Sequence, residues 1–216
     1  ETFLSVTLAR GLRFPPGQGW AYSNIGFLLL RKVVETVLDT ALGTALSERI
    51  FAPLNLEVSF TARTLEDTRS LTPGFSNFFS VDGSFQDVRG VYHPGWVSHG
   101  VVISTALELA RMMEGVFHGP LLRAESRAAM LQAVDVPVEH PLFRRPGYGL
   151  GVMIDPDSRY GLMAGHGGGG PGYSAGVLHL ASANGRRITS AVLSNSDAGD
   201  TGLPIAFRLA MLAAEL

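Results

Sequence analysis

Two short stretches of this chain carry groups that could together move an acyl group. Tyr22 and Asn24 stand two residues apart, just ahead of an apolar run. A phenol and a carboxamide at that spacing can face one cleft, the phenol relaying a proton and the carboxamide binding a substrate amide or a neighbouring ammonium. His166 is followed by Gly167, Gly168 and Gly169 at the end of a predicted strand. An imidazole there can hold a carboxylate or assist proton transfer, and glycines without Cβ let a substrate lie against the strand edge. The Gly169 N–H is then placed to donate to a developing oxyanion. Each stretch also has a plain structural account: Asn24 capping a helix over a packed Tyr22, and a flexible turn beside a surface His166.

A rival motif overlaps the second stretch. Gly172-Tyr173-Ser174-Ala175-Gly176 matches a G-x-S-x-G nucleophile elbow, and His166-Gly167-Gly168-Gly169 matches an HGGG oxyanion loop. The elbow must join a strand to a helix, yet Val177-Leu178-His179-Leu180 continues as a strand. The two motifs are also nearly adjacent, and the only downstream histidine, His179, lies in the same strand as Ser174. The order and context that such a triad needs are therefore absent. The six histidines form no metal-binding pattern with acids, so no metal is expected, and no G-K-[ST] follows the glycines.

The elements that must position these groups follow from composition and period. The chain has 216 residues, 46% of them hydrophobic and 17% charged, with net charge −2, which suits a packed globular fold. No basic patch invites nucleic acid. The apolar run 25–30 is far too short to span a membrane. With no cysteine, the redox compartment stays open, as does localisation. Helical spacing is read at 2–12 and from Asn24 to Leu38, the second apolar all round its first turns and so expected to be buried. Further helices are expected near 43–51, from a Thr105–Glu108 capping box to Phe117, at 124–133, and from Pro204 to the end. Residues 61–100 read as loops. Strands are expected at 148–154, 160–165, 173–181 and 186–194, the last two joined at Ala183-Asn184-Gly185. Helices first, antiparallel strands next and a closing helix make the fold α+β. The division is a mostly helical 1–145 and a strand-rich 146–216, together one incomplete domain.

With these residues in view, the chain resembles the serine β-lactamase and D,D-peptidase superfamily, in particular the class C β-lactamase-related branch. Phe14-Pro15-Pro16-Gly17 to Trp20-Ala21-Tyr22-Ser23-Asn24-Ile25-Gly26-Phe27 is similar to its F-x-P-G…Y-S-N-x-G-Y segment. Ile50 to Leu54, Gly100 to Thr105, Tyr148-Gly149-Leu150-Gly151 and Gly165 to Ser174 resemble further segments in the same order, and Leu193-Ser194-Asn195 resembles the end of the last strand. The resemblance implies a β-lactamase/transpeptidase-like fold, a helical subdomain beside an antiparallel sheet flanked by helices. It implies that Tyr22 is a proton shuttle, that Asn24, Gly167 and Gly168 contact substrate, that His166 stands where many relatives have the Lys of K-T-G, and that Gly169 supplies an oxyanion N–H. No metal or organic cofactor is implied, and the substrate is an amide or ester, small or peptide.

One departure limits this. The superfamily nucleophile sits in S-x-x-K, but Lys32 is the only lysine and position 29 is Leu. No nucleophile is therefore assigned in these 216 residues. The motif is expected upstream of Tyr22, with the first strands and the nucleophile helix of the same domain as the missing partner segment, so an open sheet edge and helix face are expected here. Three readings follow: the C-terminal part of a serine hydrolase, inactive by itself; a non-catalytic binding or sensor module; or a hydrolase using Ser174 or Ser23. His166 in place of lysine favours peptidase, D-aminopeptidase or esterase activity over efficient β-lactam hydrolysis.

Overall fold

The glycine run that reads as a turn lies inside a strand, and the layers of the molecule are arranged around that strand. The computed structural model describes residues 2–199 and 201–216, with the side chains of Thr2 and Phe3 left aside. In chain order the elements are α1 (Thr2–Leu8), α2 (Asn24–Leu38), α3 (Leu42–Leu46), β1 (Phe60–Ala62), α4 (Glu66–Arg69), β2 (Phe75–Ser76), β3 (Gln86–Asp87) and β4 (Val101–Ile103). Then come α5 (Ala106–Phe117), α6 (Ala124–Leu131), β5 (Val134–Asp135), β6 (Gly147–Tyr148), β7 (Met153–Ser158), β8 (Gly161–Gly170), β9 (Tyr173–Ala183), β10 (Arg186–Ser194) and α7 (Gly202–Glu215). The fold is α+β, as its sequence pattern implies.

Strands β10-β9-β8-β7-β6-β5 form one antiparallel sheet in that spatial order. Side chains alternate between its faces. One face supplies Met163, Leu178 and Leu180, which pack with Leu203, Ala210 and Ala214 of α7. The other supplies Ile154 and Ala164, packed with Phe117 of α5 and Val152. Helix α7 and helix α5 thus sandwich the sheet, and each fully buried Leu or Ile contributes roughly 1.5–3 kcal/mol of burial. At the seam with α7, Gly176 and Gly202 meet backbone to backbone: a Cβ on Gly176 would strike Gly202 and Leu203, and one on Gly202 would strike Ala175.

Several boundaries differ from the sequence reading, each for a local reason. The expected strand 148–154 is two strands, because Gly149 N–H bonds Val152 O at 2.8 Å and Gly151 takes φ 78°, turning the chain between Tyr148 and Met153. Strand β8 runs on through the glycines to Gly170, held by β9 down to the Gly170–Tyr173 pair, so the turn shrinks to Pro171-Gly172. Helix α1 stops at Leu8 rather than reaching residue 12, and α7 starts at Gly202, two residues before Pro204. A first-turn proline needs no amide partner, so Pro204 fits there too. The Asn184-Gly185 hairpin is as expected, both residues having positive φ (53° and 77°) as a type I′ turn requires.

The capping box is half formed. Thr105 Oγ1 accepts from Glu108 N–H at 3.2 Å, but the Glu108 carboxylate turns instead to Val58 N–H (3.1 Å) and Ser59 Oγ (2.6 Å). Burial raises the pKa of this buried carboxyl, but those hydrogen bonds outweigh it and hold the pKa below the usual range. Helix α2 departs most from expectation. It has no buried residue, and Leu30, Val33 and Val37 are 58%, 56% and 75% exposed. Apolar periodicity sets which face seeks cover, and among the described residues that face of α2 has little. The outer edge of β10 is likewise without a strand partner among the described residues.

Candidate active site

Ser23 decides how Tyr22 is presented. Its extended backbone (φ −145°, ψ 108°) and its Oγ, which accepts from Gly26 N–H at 3.0 Å, end the loop and start α2. The N-cap is therefore Ser23 and not Asn24, as its side-chain oxygen satisfies an otherwise unpaired amide of the first turn. Tyr22 is left just outside the helix, about half exposed, with its ring 5.5 Å from Phe27 and 6.0 Å from His166. Asn24 opens the helix and is exposed. It does not join the ring cluster.

The tight turn at 149–152 sets Tyr148 beside β7, one strand away from His166. Tyr148 packs on Trp20 (5.3 Å between centroids) and meets Tyr22 edge-on at 6.3 Å. Its hydroxyl lies 2.9 Å from His166 Nε2. The other imidazole nitrogen, Nδ1, is 2.5 Å from the Gly167 carbonyl, which can only accept. Nδ1 therefore carries a proton, and in the neutral ring Nε2 offers a lone pair to which Tyr148 donates. Burial, then the neighbouring Tyr22, pushes the Tyr148 phenol up to about 12, so it stays a donor across ordinary pH. The structure thus brings Tyr22 and His166 together and adds Tyr148, which the sequence reading used only as part of a segment match. The signal that could have found it is Tyr148-Gly149-Leu150-Gly151, whose two glycines suit a hairpin turn in place of the single strand expected there.

The strand edge beside His166 is open. Strand β7 pairs with β8 only as far as Gly165, through Met153, so residues 166–170 have β9 on one side and no strand on the other among the described residues. Packing does not demand glycine along that edge. A Cβ at Gly168 would find ordinary contact with Ala175, and one at Gly169 would meet nothing within 4 Å. Neither glycine has the positive φ that excludes other residues.

A second histidine shares this face. His166 is paired with Val177, and His179 lies two residues further along β9. His179 is fully buried, stacked 4.7 Å from Phe117. Thr189 Oγ1 donates to Glu114 Oε1, so His179 Nδ1 is the donor in its 2.7 Å contact with Thr189, and Glu114 Oε1 lies 3.3 Å away. Its Nε2 then accepts from His118 Nε2 at 3.0 Å. Burial drives the His179 pKa down to about 4.

The elbow reading fails on geometry. Ser174 sits within β9, buried on the α7 face and bonded to Thr201 Oγ1 at 2.9 Å, whereas His179 points to the opposite face. Ser23 is engaged as a helix cap.

The family model that matches is that of Beta-lactamase, over residues 1–215. Among curated proteins, penicillin-binding protein 4* of Bacillus subtilis is 24% identical over 199 residues, covering 85% of this chain and 41% of that protein. A D-aminopeptidase of Cereibacter sphaeroides is 26% identical over 188 residues, covering 86% of this chain and 34% of that protein. The chain thus spans less than half the length of these relatives. Among solved structures, a D-stereospecific amidohydrolase from Streptomyces sp. aligns with TM-score 0.72 and 28% identity, over 91% of this chain and 56% of that one. A penicillin-binding protein homologue from Pyrococcus abyssi aligns with TM-score 0.75 at 22% identity, over 97% of this chain and 47% of that one, a likeness of fold.

Proposed function

The chain belongs to the Beta-lactamase family, and from that premise we propose that it supplies two walls of the acyl-transfer cleft in a serine hydrolase acting on amides or esters. The observation that carries the reading is the open edge, side-chain-free at 167–170, beside the Tyr22–Tyr148–His166 cluster. An extended substrate can add to that edge through its own backbone amides, as strands do. The Gly169 N–H then donates to the carbonyl oxygen as it gains charge. Asn24 holds the substrate amide from the opposite wall.

The nucleophile is a serine of an S-x-x-K segment elsewhere in the polypeptide, since Leu29 stands three residues before the one lysine of this chain. Its Oγ bonds to the substrate carbonyl carbon while its proton passes to the Tyr22–His166 pair. That proton goes on to the leaving amine or alcohol as the C–N or C–O bond breaks. Water repeats the sequence and releases the acid. His166 accepts at Nε2, with Tyr148 holding the ring in that tautomer until the proton arrives. The names of the relatives, D-aminopeptidase and D-stereospecific amidohydrolase, support an amide substrate with a D-configured residue over a β-lactam.

The test is direct. The full-length protein is expected to hydrolyse D-aminoacyl p-nitroanilides or short p-nitrophenyl esters faster than nitrocefin and to be labelled by a fluorophosphonate. The 216 residues alone are expected to take no label. Rapid nitrocefin turnover overturns the substrate preference. The lack of an S-x-x-K segment here also favours a second reading, a binding module. Reversible binding of a D-alanine-ended peptide by the full-length protein, without turnover or label, would select it.

A further inference from the structure

We infer that Phe78, Phe79, Tyr92 and Trp96 form an aromatic platform that receives an apolar, preferably aromatic, side chain on the acyl part of the substrate. This rests on the hydrolase reading above and names the substrate class for the same site. The four rings form a closed set: Phe78–Phe79 at 5.0 Å, Phe79–Tyr92 stacked at 5.6 Å, Tyr92–Trp96 at 5.7 Å and Phe78–Trp96 at 5.9 Å. A small core beneath a long loop would bury its rings, and Phe79 and Tyr92 are partly covered. Phe78 and Trp96, however, are 63% and 58% exposed, so the set presents aromatic surface to solvent.

That surface stands at the end of the open edge. The Tyr92 hydroxyl donates to Pro171 O at 3.2 Å and lies 4.0 Å from where a Gly170 Cβ would be. His166, Gly168 and Gly170 share one face of β8 by alternation. Between the imidazole and Tyr92 that face therefore carries only glycines. The position proposed for the oxyanion, at Gly169, is one residue short of Gly170, roughly 3.3 Å of strand, so a side chain next to the reacting carbonyl meets the Tyr92 end of the ring set first. The platform is also held in place. Phe75 N–H bonds Asn195 O (2.9 Å), and Tyr173 Oη donates to Thr72 O (2.8 Å). Asp197 Oδ2 accepts from both Ser76 Oγ (2.7 Å) and Gly172 N–H (3.1 Å). A loop anchored before binding loses less freedom when a ligand stacks on the rings it carries.

The experiment compares D-phenylalanine and D-alanine p-nitroanilides on the full-length protein, with Trp96→Ala and Phe78→Ala variants. The expected result is a preference in kcat/KM for the phenylalanine substrate that falls about tenfold in either variant. Turnover of both substrates with the preference within twofold of the parent overturns the platform. Where neither substrate is turned over, the hydrolase reading has failed, and the platform is judged separately. The indole N–H resonance of Trp96, identified by its loss in Trp96→Phe, is followed while N-acetyl-D-phenylalaninamide or N-acetyl-D-alaninamide is added. A shift specific to the phenyl ligand supports the platform, and equal or absent shifts overturn it.

Discussion

His166 and His179 occupy the same face of the same sheet, on neighbouring strands, and each directs Nδ1–H to an oxygen and Nε2 to a second polar group. What surrounds Nε2 separates them. At His166 the donor is a phenol at the lip of an open strand edge, and Tyr22 beside it is about half exposed. At His179 the donor is a second imidazole, Phe117 covers the ring, and Thr189 and Glu114 close the other side. Residue type and ring orientation therefore do not separate the two. The role proposed for His166 rests on access and on the open strand edge beside it. The buried network is the kind of satisfied polar cluster that specifies packing.

The largest effect that tests this contrast is on catalysis. His166→Ala in the full-length protein is expected to lower kcat/KM by about 10²–10⁴-fold, the usual range for a general acid–base group, with the urea midpoint nearly unchanged. Activity within tenfold of the parent would break the assignment. His179→Ala should do the reverse. It empties a fully buried site and leaves the His118 donor and the Thr189 acceptor unpaired, costing about 3 kcal/mol of stability in urea unfolding followed by circular dichroism. A loss under about 1 kcal/mol would mean that the network is ornamental.

Acid provides the next distinction. The folded His179 pKa of about 4 lies below the unfolded value near 6.5, so the unfolded chain takes up a proton first. Stability is then full above about pH 6.5 and is lost as pH falls toward 4, by some 2–3 kcal/mol at 1.36 kcal/mol per unit. His118 is also lowered by burial, with Arg187 and Arg127 pushing the same way and Glu114 opposing, so it adds in the same direction. Unfolding free energies at pH 7, 5.5 and 4.5 should show this slope in the parent and a shallower one in His179→Leu. The smallest effect is expected from Tyr148→Phe, which removes the hydroxyl donor to His166 Nε2. A net hydrogen bond of about 1 kcal/mol corresponds to roughly a five- to tenfold lower kcat/KM, with stability little altered. A loss as large as that of His166→Ala would mark Tyr148 as the proton carrier in place of Tyr22.

The parts of this arrangement that were legible in the sequence are those fixed locally or by ordered motifs. The hairpin at Asn184-Gly185 follows from two residues that tolerate positive φ. The convergence of Tyr22 and His166 follows from collinear segments rather than from either tripeptide. Tyr148 is not legible as a site residue because an alternating pattern runs straight through 148–154, whereas the Gly149–Val152 turn puts the phenol on a separate strand that folds back beside His166. The His179 network joins Glu114 and His118 of the α5 region to β9 and β10, and no spacing rule spans such separations. Helix α2 shows a different limit: its apolar residues state a need for cover, and only neighbours decide whether the need is met. Glu108 shows a third, since a capping-box glutamate found a better partner in Ser59.

The seam between Gly176 and Gly202 bears on how this chain can vary over generations. In most packed contacts a larger residue on one side can be accommodated by a smaller one opposite. Here each glycine faces main chain, Gly176 against Gly202 and Leu203, and Gly202 against Ala175. Main chain cannot be trimmed by any substitution, so no second change rescues the first. Both positions should stay glycine in any descendant that keeps α7 seated on β9, while the exposed faces around them drift.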